Sequence, residues 1–332
     1  MKVSIGFNAD VPGDEIARYA AEAENLGYEC LWMHEHSFGR DAVSNIAQAA
    51  VATKRIGLGF GCLSPYTRNP VALAMTSLSL HEVSGGRVRL GIGTGFPARL
   101  DLMGIHHEFP ISTLKDTIEI CRQIWSGSPT NYSGKTFSVR NVKSLFGGAK
   151  SKIPIYIAGW KPQMLQLTAT YADGYLAKGG ESINSIRHIV SDLTSKTSNG
   201  RSIEEIDVAA YLLTLVAATK DEAVSKAKRD PFVAYMLSVQ DDYLYEGTGI
   251  DPVLKKPIAE NYFKGNMPGA FALITDEMIE AFTVVGTKSQ VSERVAAFKK
   301  SGLNHPILQP ILMKIDEIKS VMDSGSILIE ST

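Results

Sequence analysis

Short apolar runs alternate with stretches of helical spacing along most of this chain, and that alternation restricts the fold more than any other feature. Strands are predicted at Lys2–Asn8, Tyr28–Met33, Ile56–Cys62, Val88–Gly93, Ile153–Ala158, Gly174–Lys178, Asp207–Ala218 and Pro306–Gln309. Between them the spacing predicts helices over Asp14–Leu26, Asp41–Thr53, Pro70–Ser84 and Ser112–Trp125, with Ser112 as N-cap, then from Pro162, over Ile183–Thr197, and from Lys314. Eight strands with intervening helices argue for a closed (β/α)8 TIM barrel. Two stretches break the rhythm. Asn131–Lys152 is polar and reads as a surface excursion. Pro231–Gly286 is too long for a loop and carries Tyr235, Tyr243, Tyr245, Tyr262 and Phe263. It reads as a helical insertion before the last strand, covering the barrel mouth. We take residues 1–332 as a single domain with this insertion at 231–286.

Composition narrows the function classes. Of the 332 residues 44% are hydrophobic and 21% charged, and the formal net charge is −1. That balance gives no reason to expect nucleic acid or an anionic membrane as partner. The longest apolar run, Ala209 to Ala218, is interrupted by Thr214 and is too short to cross a bilayer. The N-terminus moves directly into strand-like sequence with no signal-peptide core. Cys30, Cys62 and Cys121 form no CxxC pair, so a reduced, cytoplasmic setting is expected.

Glycines cluster at two strand ends, Ile56-Gly-Leu-Gly-Phe-Gly-Cys62 and Val88-Arg-Leu-Gly-Ile-Gly-Thr-Gly95, joined by a stretch of crossover length. Such ends let a flat or charged ligand approach the main chain at the C-terminal face of the sheet. Gly93-Thr-Gly95-Phe-Pro-Ala98 matches the dinucleotide fingerprint on paper, but Pro97 follows at once and no acid ends the next strand.

The second strand runs out in Trp32-Met-His-Glu-His36. A metal site beginning with His34 and His36 would need ligands at later strand ends, and the other five histidines fall elsewhere, so no metal is expected. His36 is then either a hydrogen-bonded structural imidazole or a catalytic or cofactor-contacting one. Its place at the C-terminal face favours the latter. Two further loops, Ala158-Gly-Trp-Lys-Pro162 and Lys178-Gly-Gly-Glu-Ser182, each end a strand and open a helix. Their free backbone N–H groups, with the charge of Lys178, suit a phosphorylated cofactor.

Beyond these local readings, the chain resembles the bacterial-luciferase-like flavin and deazaflavin oxidoreductases, most closely the coenzyme F420-dependent methylenetetrahydromethanopterin reductases. The resemblance rests on Gly61-Cys-Leu-Ser-Pro-Tyr-Thr-Arg-Asn-Pro70, Ser84-Gly-Gly-Arg-Val-Arg-Leu-Gly-Ile-Gly-Thr-Gly95, Ile206-Asp-Val-Ala-Ala-Tyr211 and Ile279-Glu-Ala-Phe-Thr-Val-Val-Gly-Thr287. It implies a luciferase-type barrel, usually a homodimer, acting on a small organic substrate by hydride transfer with F420. That substrate would be a methylene-tetrahydropterin-type one-carbon carrier. An FMN-dependent monooxygenase, or a flavin-binding member without activity, is the alternative. The resemblance also implies a bulge after the third strand with a non-prolyl cis peptide at Gly61–Cys62, backing the cofactor ring. It places Gly93, Thr94 and Gly95 at the ring, and Ala158, Gly159, Trp160, Lys178, Gly179 and Gly180 toward the phosphate. Related enzymes keep an acid on the first strand and another after the G-x-G strand, where this chain has Gly6 and Phe96. Proton supply then falls to His36, or to Glu35 through it.

Overall fold

The computed structural model describes residues 2–198, 200–311 and 314–330; residue 1 and residues 331–332, the ends of the 1–332 span, lie outside it. Eight parallel strands close into a barrel: β1 (Ser4–Phe7), β2 (Cys30–Met33), β3 (Gly57–Leu63), β4 (Val88–Ile92), β5 (Ile155–Ala158), β6 (Gly174–Ala177), β7 (Asp207–Val216) and β8 (His305–Pro310). Each pairs with the next, and β8 returns to β1 through Ser4↔Ile307 and Ile5↔Leu308. All eight are those predicted from the apolar runs, within a few residues at each end.

Helices sheathe the barrel because their apolar residues recur on one stripe. In Gly13–Asn25 the buried residues are Ile16, Tyr19, Ala20 and Ala23, a spacing that lays one face on the strands. Asp41 caps the next helix by accepting from the Ser44 N–H. One expected cap is corrected. The helix over Pro110–Trp125 begins two residues before Ser112, and its N-cap is Phe109 in a left-handed conformation (φ 52°). Pro110 takes the first helical position, where its missing N–H is harmless, and this outweighs a serine cap. A short helix over Pro97–Leu102 also precedes it.

The barrel lumen is filled by side chains. Trp32, Tyr156, Leu176, Tyr211 and Ile307 pack together inside the ring, Trp32 edge-on to Tyr156 at 4.9 Å. Glycines make room for them. A methyl group added at Gly59 would fall on the Trp32 indole, and one at Gly61 or Gly6 on the Tyr211 phenol. The glycine spacing of β3 that reads as ligand approach is therefore largely an answer to two large aromatics in a narrow lumen.

The two departures from β/α rhythm have distinct structures. Within the polar excursion, Thr130–Ser133 and Ser138–Val142 form an antiparallel hairpin. Its turn is tied to buried Asp116, which accepts from the Thr136 and Phe137 N–H groups and the Tyr132 hydroxyl. The 231–286 stretch holds helices over Pro231–Ser238, Lys255–Phe263, Met267–Leu273 and Asp276–Phe282. It is not wholly helical: Val284–Gly286 is a strand lying parallel to the C-terminal extension of β7, Thr214–Val216. The extra length of β7, ten residues, supplies that edge. A second apolar core, including Leu213, Leu215, Phe282 and Ile311, joins this stretch to the barrel.

Candidate active site

At the C-terminal ends of the strands the lumen filling stops. Toward that end the side chains on one side of the cluster are small, Cys62 and Ala158 packing on it and staying half-buried, with Thr94 also half-buried, while His34 stacks on Tyr211 on the other. Cys62, Ala158 and Thr94 make a floor of small side chains. The register between β3 and β4 shifts between Phe60 and Leu63, forming a bulge there, and the Gly61–Cys62 peptide bond is cis, as the resemblance implied. A side chain at Gly93 would collide with Cys62 Sγ, and Gly95 turns with φ +76° in contact range of Ser64. Burial pushes the Cys62 thiol up to about 12, so it stays protonated and is no nucleophile.

Because β2 ends at Met33, His34, Glu35 and His36 lie just past the strand. His34 turns inward, its ring 4.0 Å from that of Tyr211 and its Nε2 3.3 Å from Gln309 Oε1. Gln309 in turn donates to Asn8 Oδ1. Burial, against the Gln309 bond, lowers His34 to about 4, so it is a neutral donor. Glu35 turns away. Its Oε1 accepts from Arg68 Nε (3.1 Å) and Nη2 (2.9 Å), and its Oε2 from the Ala42 N–H. Arg68 also holds Asp41, so this ion-pair cluster fixes the turn that carries His36.

His36 is half-buried at the rim, and its Nδ1 accepts from the Phe38 N–H at 3.3 Å. The proton therefore sits on Nε2. Burial first, and the charge of Arg99 second, hold its pKa below the ordinary imidazole value, with Asp10 opposing. A neutral imidazole with its proton on Nε2 can donate a hydrogen bond.

The loops after β5 and β6 meet the 231–286 stretch. Trp160 stacks on Tyr243 at 4.2 Å, and the Tyr243 hydroxyl donates to Glu181 Oε1 at 3.1 Å. Gln240 Nε2 donates to the Gly180 carbonyl, and Lys178 Nζ pairs with Asp241 at 2.8 Å. Lys178, expected to add its charge to this loop, shares it with Asp241 while staying about a third exposed. The helix over Ile183–Lys196 is likewise capped internally, Ser182 and Ser185 each bonding the other's backbone N–H. Ala158, Gly159 and Gly179 remain at the strand ends as expected, Gly179 buried against Leu213.

Sequence reasoning missed Glu181, Tyr243, Gln240 and Asp241 as one cluster, since the partners are about 60 residues apart. Glu181 is almost fully buried, and burial pushes it up to about 7, with bonds from Ser185 and Tyr243 opposing. The folded carboxyl holds its proton more tightly than an unfolded one near 4.5. Folding stability should therefore fall as pH rises from about 4.5 to about 7, by about 3 kcal/mol at about 1.4 kcal/mol per unit. Denaturant midpoints below and above that window are expected to show this loss in the wild type and a flatter profile in Glu181→Gln. An unchanged slope in the variant would remove Glu181 as its source.

Among the described residues no three His, Cys, Asp or Glu side chains come together to hold a metal ion. One buried trio does imitate a hydrolytic triad. His305 Nε2 lies 2.6 Å from Ser4 Oγ, and its Nδ1 2.7 Å from Asp207 Oδ2, which also accepts from Tyr156. These residues start β1, β7 and β8, at the opposite end of the barrel from the floor, and Ser4 and His305 have no exposed surface. No substrate reaches them, and the trio is a structural clamp.

Residues 3–305 match the family of luciferase-like monooxygenases. The chain is 33% identical over 301 residues to a 5,10-methylenetetrahydromethanopterin reductase of Methanolobus tindarius, covering 89% of this chain and 90% of that protein. It is 30% identical over 313 residues to the enzyme of the same name from Archaeoglobus fulgidus, covering 92% of each. The solved coenzyme F420-dependent tetrahydromethanopterin reductase of Methanopyrus kandleri superposes with a TM-score of 0.89 at 28% identity, over 100% of this chain and 99% of that one.

Proposed function

The chain belongs to the luciferase-like monooxygenase family, and from that premise we propose that it is an F420-dependent oxidoreductase acting on a small one-carbon carrier of the methylene-tetrahydropterin type. The observation that carries this reading is the floor of Cys62, Ala158 and Thr94, half-buried above a lumen closed by Tyr211 and Trp32, with neutral His36 at its rim. A planar ring fits on such a floor beside His34, since the floor's side chains are no larger than cysteine, alanine and threonine. When bound, the deazaflavin supplies a ring carbon that takes up or delivers hydride.

The protein's part is positioning and proton management. Gly61, Cys62, Gly93, Thr94 and Gly95 bear the ring, and Ala158, Gly159, Trp160, Gly179 and Gly180 border its phosphate-bearing side. With Lys178 paired to Asp241, backbone N–H groups rather than a free ammonium face that side. His36 holds a proton at Nε2 beside the substrate. Glu35 acts through Arg68 as a positioning residue, because its carboxylate is bound to that guanidinium. The 231–286 stretch excludes water from above through Gln240, Asp241 and Tyr243. A homodimer in the cytoplasm, with no nucleic-acid or membrane partner, belongs to the same reading. The free cysteines suit a reducing compartment and the net charge of −1 gives no attraction to polyanions, while the homodimer rests on the family likeness alone.

Titration of the apoprotein with F420 and, separately, with FMN tests the cofactor. Selective F420 binding, by at least about tenfold or 1.4 kcal/mol, is expected. A preference for FMN would transfer the protein to the monooxygenase branch. Binding of F420 without turnover of methylenetetrahydromethanopterin would remove the substrate assignment and leave the cofactor.

A further inference from the structure

Arg99 sits on the short helix after β4, at the same rim as His36. It is half-buried, yet no carboxylate of a described residue forms an ion pair with it. Nη2 donates to the Tyr235 hydroxyl at 2.7 Å, and the guanidinium carbon lies 5.2 Å from the Tyr235 ring and 5.9 Å from that of Phe96. Among the described residues, most of its N–H groups therefore have no acceptor. Arg68, on the turn beside His36, is matched by Glu35 and Asp41, whereas the exposed Arg40 side chain bonds only the Asp10 carbonyl among the described residues. Asp10, whose charge reaches both His36 and Tyr262, makes no ion pair with Arg99. Behind Tyr235 the aromatic wall continues through Tyr262, 5.7 Å away, and Phe263.

We infer that Arg99, with Tyr235 and Phe96, is the subsite that binds a carboxylate carried on or beside a flat, conjugated part of the substrate. A guanidinium matches a carboxylate with two parallel N–H···O bonds, and the aromatic faces beside it hold the attached plane. The Tyr235 bond fixes the orientation of the fork without neutralising it. Because Arg99 reaches His36 electrostatically, a carboxylate bound there also changes the charge at the proton-holding residue. The subsite lies between that residue and the 231–286 stretch, where it positions substrate over the floor. This inference rests on the proposed oxidoreductase reading for the meaning of its ligand, but its test does not depend on it.

The test uses benzoate and its neutral isostere benzamide in calorimetric titrations of the whole protein, with and without F420. Wild-type protein is expected to prefer benzoate by about tenfold or more. Arg99→Gln is expected to bring the two within about twofold, while Arg99→Lys keeps the preference at a weaker level, having charge without the fork. F420 affinity is expected to stay within about threefold of wild type in both variants, as Arg99 is not a ring or phosphate contact. Equal binding of benzoate and benzamide, absence of binding by either, or an undiminished preference in Arg99→Gln overturns the inference. A loss of F420 affinity of about tenfold or more in Arg99→Gln also overturns it, by making Arg99 a cofactor residue. Should wild-type protein take up no F420, the cofactor reading falls. The benzoate comparison on the unloaded protein then still decides for or against Arg99.

Discussion

Replacement of His36 by alanine is expected to lower kcat with methylenetetrahydromethanopterin by about 10²-fold or more, the range for a positioned proton-handling group, while F420 binds within about threefold of wild type. The separation follows from where the imidazole stands. It is at the rim rather than in the floor, so its loss leaves Cys62, Ala158 and Thr94 to bear the ring. It is also not a fold element, since its recorded bond is to its own loop at Phe38. The pH dependence has a definite sign. Burial and Arg99 lower its pKa, so the neutral, Nε2-protonated form prevails across the neutral range. Activity is expected to fall on the acid side as the ring gains its second proton, and Arg99→Gln should shift that limb toward higher pH. A kcat unchanged in His36→Ala, measured by F420 absorbance, would refute the role. Equal losses of kcat and cofactor binding would make His36 a binding residue instead.

Asp207→Ala is expected to destabilise the fold by about 2–6 kcal/mol, since two buried donors lose their acceptor at about 1–3 kcal/mol each. The carboxylate receives His305 Nδ1 and the Tyr156 hydroxyl at the base of the barrel, and the substitution leaves both in a buried site without their acceptor. Burial by itself would raise the Asp207 pKa, but bonds from His305 and Tyr156 and the nearby Lys2 charge outweigh it and hold the group well below the usual carboxylate range. A depressed folded pKa means that the stabilisation is present above the unfolded value, about 3.9, and is lost as pH falls below it. The gap between wild type and variant should therefore narrow in acid. Denaturant midpoints at unchanged m measure it. A variant as stable as wild type at neutral pH would show that Ser4, His305 and Tyr156 repack without the acid. F420 affinity in the folded variant should be unaltered, because the clamp is at the far end of the strands.

Much of the barrel is legible in the sequence because each strand is a short apolar run between helices with their own one-sided periodicity, and both patterns are local. Asp41, Pro70 and Pro162 mark helix starts for local reasons as well. Ser112 fails because two candidates for the same helix start compete, and the proline at 110 wins by its preset backbone angle. Val284–Gly286 escapes notice because three residues carry no period, and only the protruding end of β7 makes a strand of them.

The site divides the same way. Residues at strand ends, among them His36, Gly61, Cys62 and Gly93 to Gly95, follow from the barrel rule that chemistry gathers at the C-terminal face, a rule that chain order alone supplies. What the glycines make room for is a matter of partners. Gly59 and Gly61 lie under Trp32 and Tyr211, which come from other strands. Lys178 has no partner legible in sequence and shares its charge in space, because Asp241 arrives from the 231–286 stretch. A triad of Ser4, Asp207 and His305 assembles from three distant strand starts, and burial removes it from chemistry. Local periodicity was enough to set the alternation, the strand ends and hence the C-terminal face on which the proposed site lies. Only folding in three dimensions sets which charges are matched and which, like Arg99, have no carboxylate partner among the described residues, since electrostatic partnership depends on distance in space and burial, not on separation along the chain.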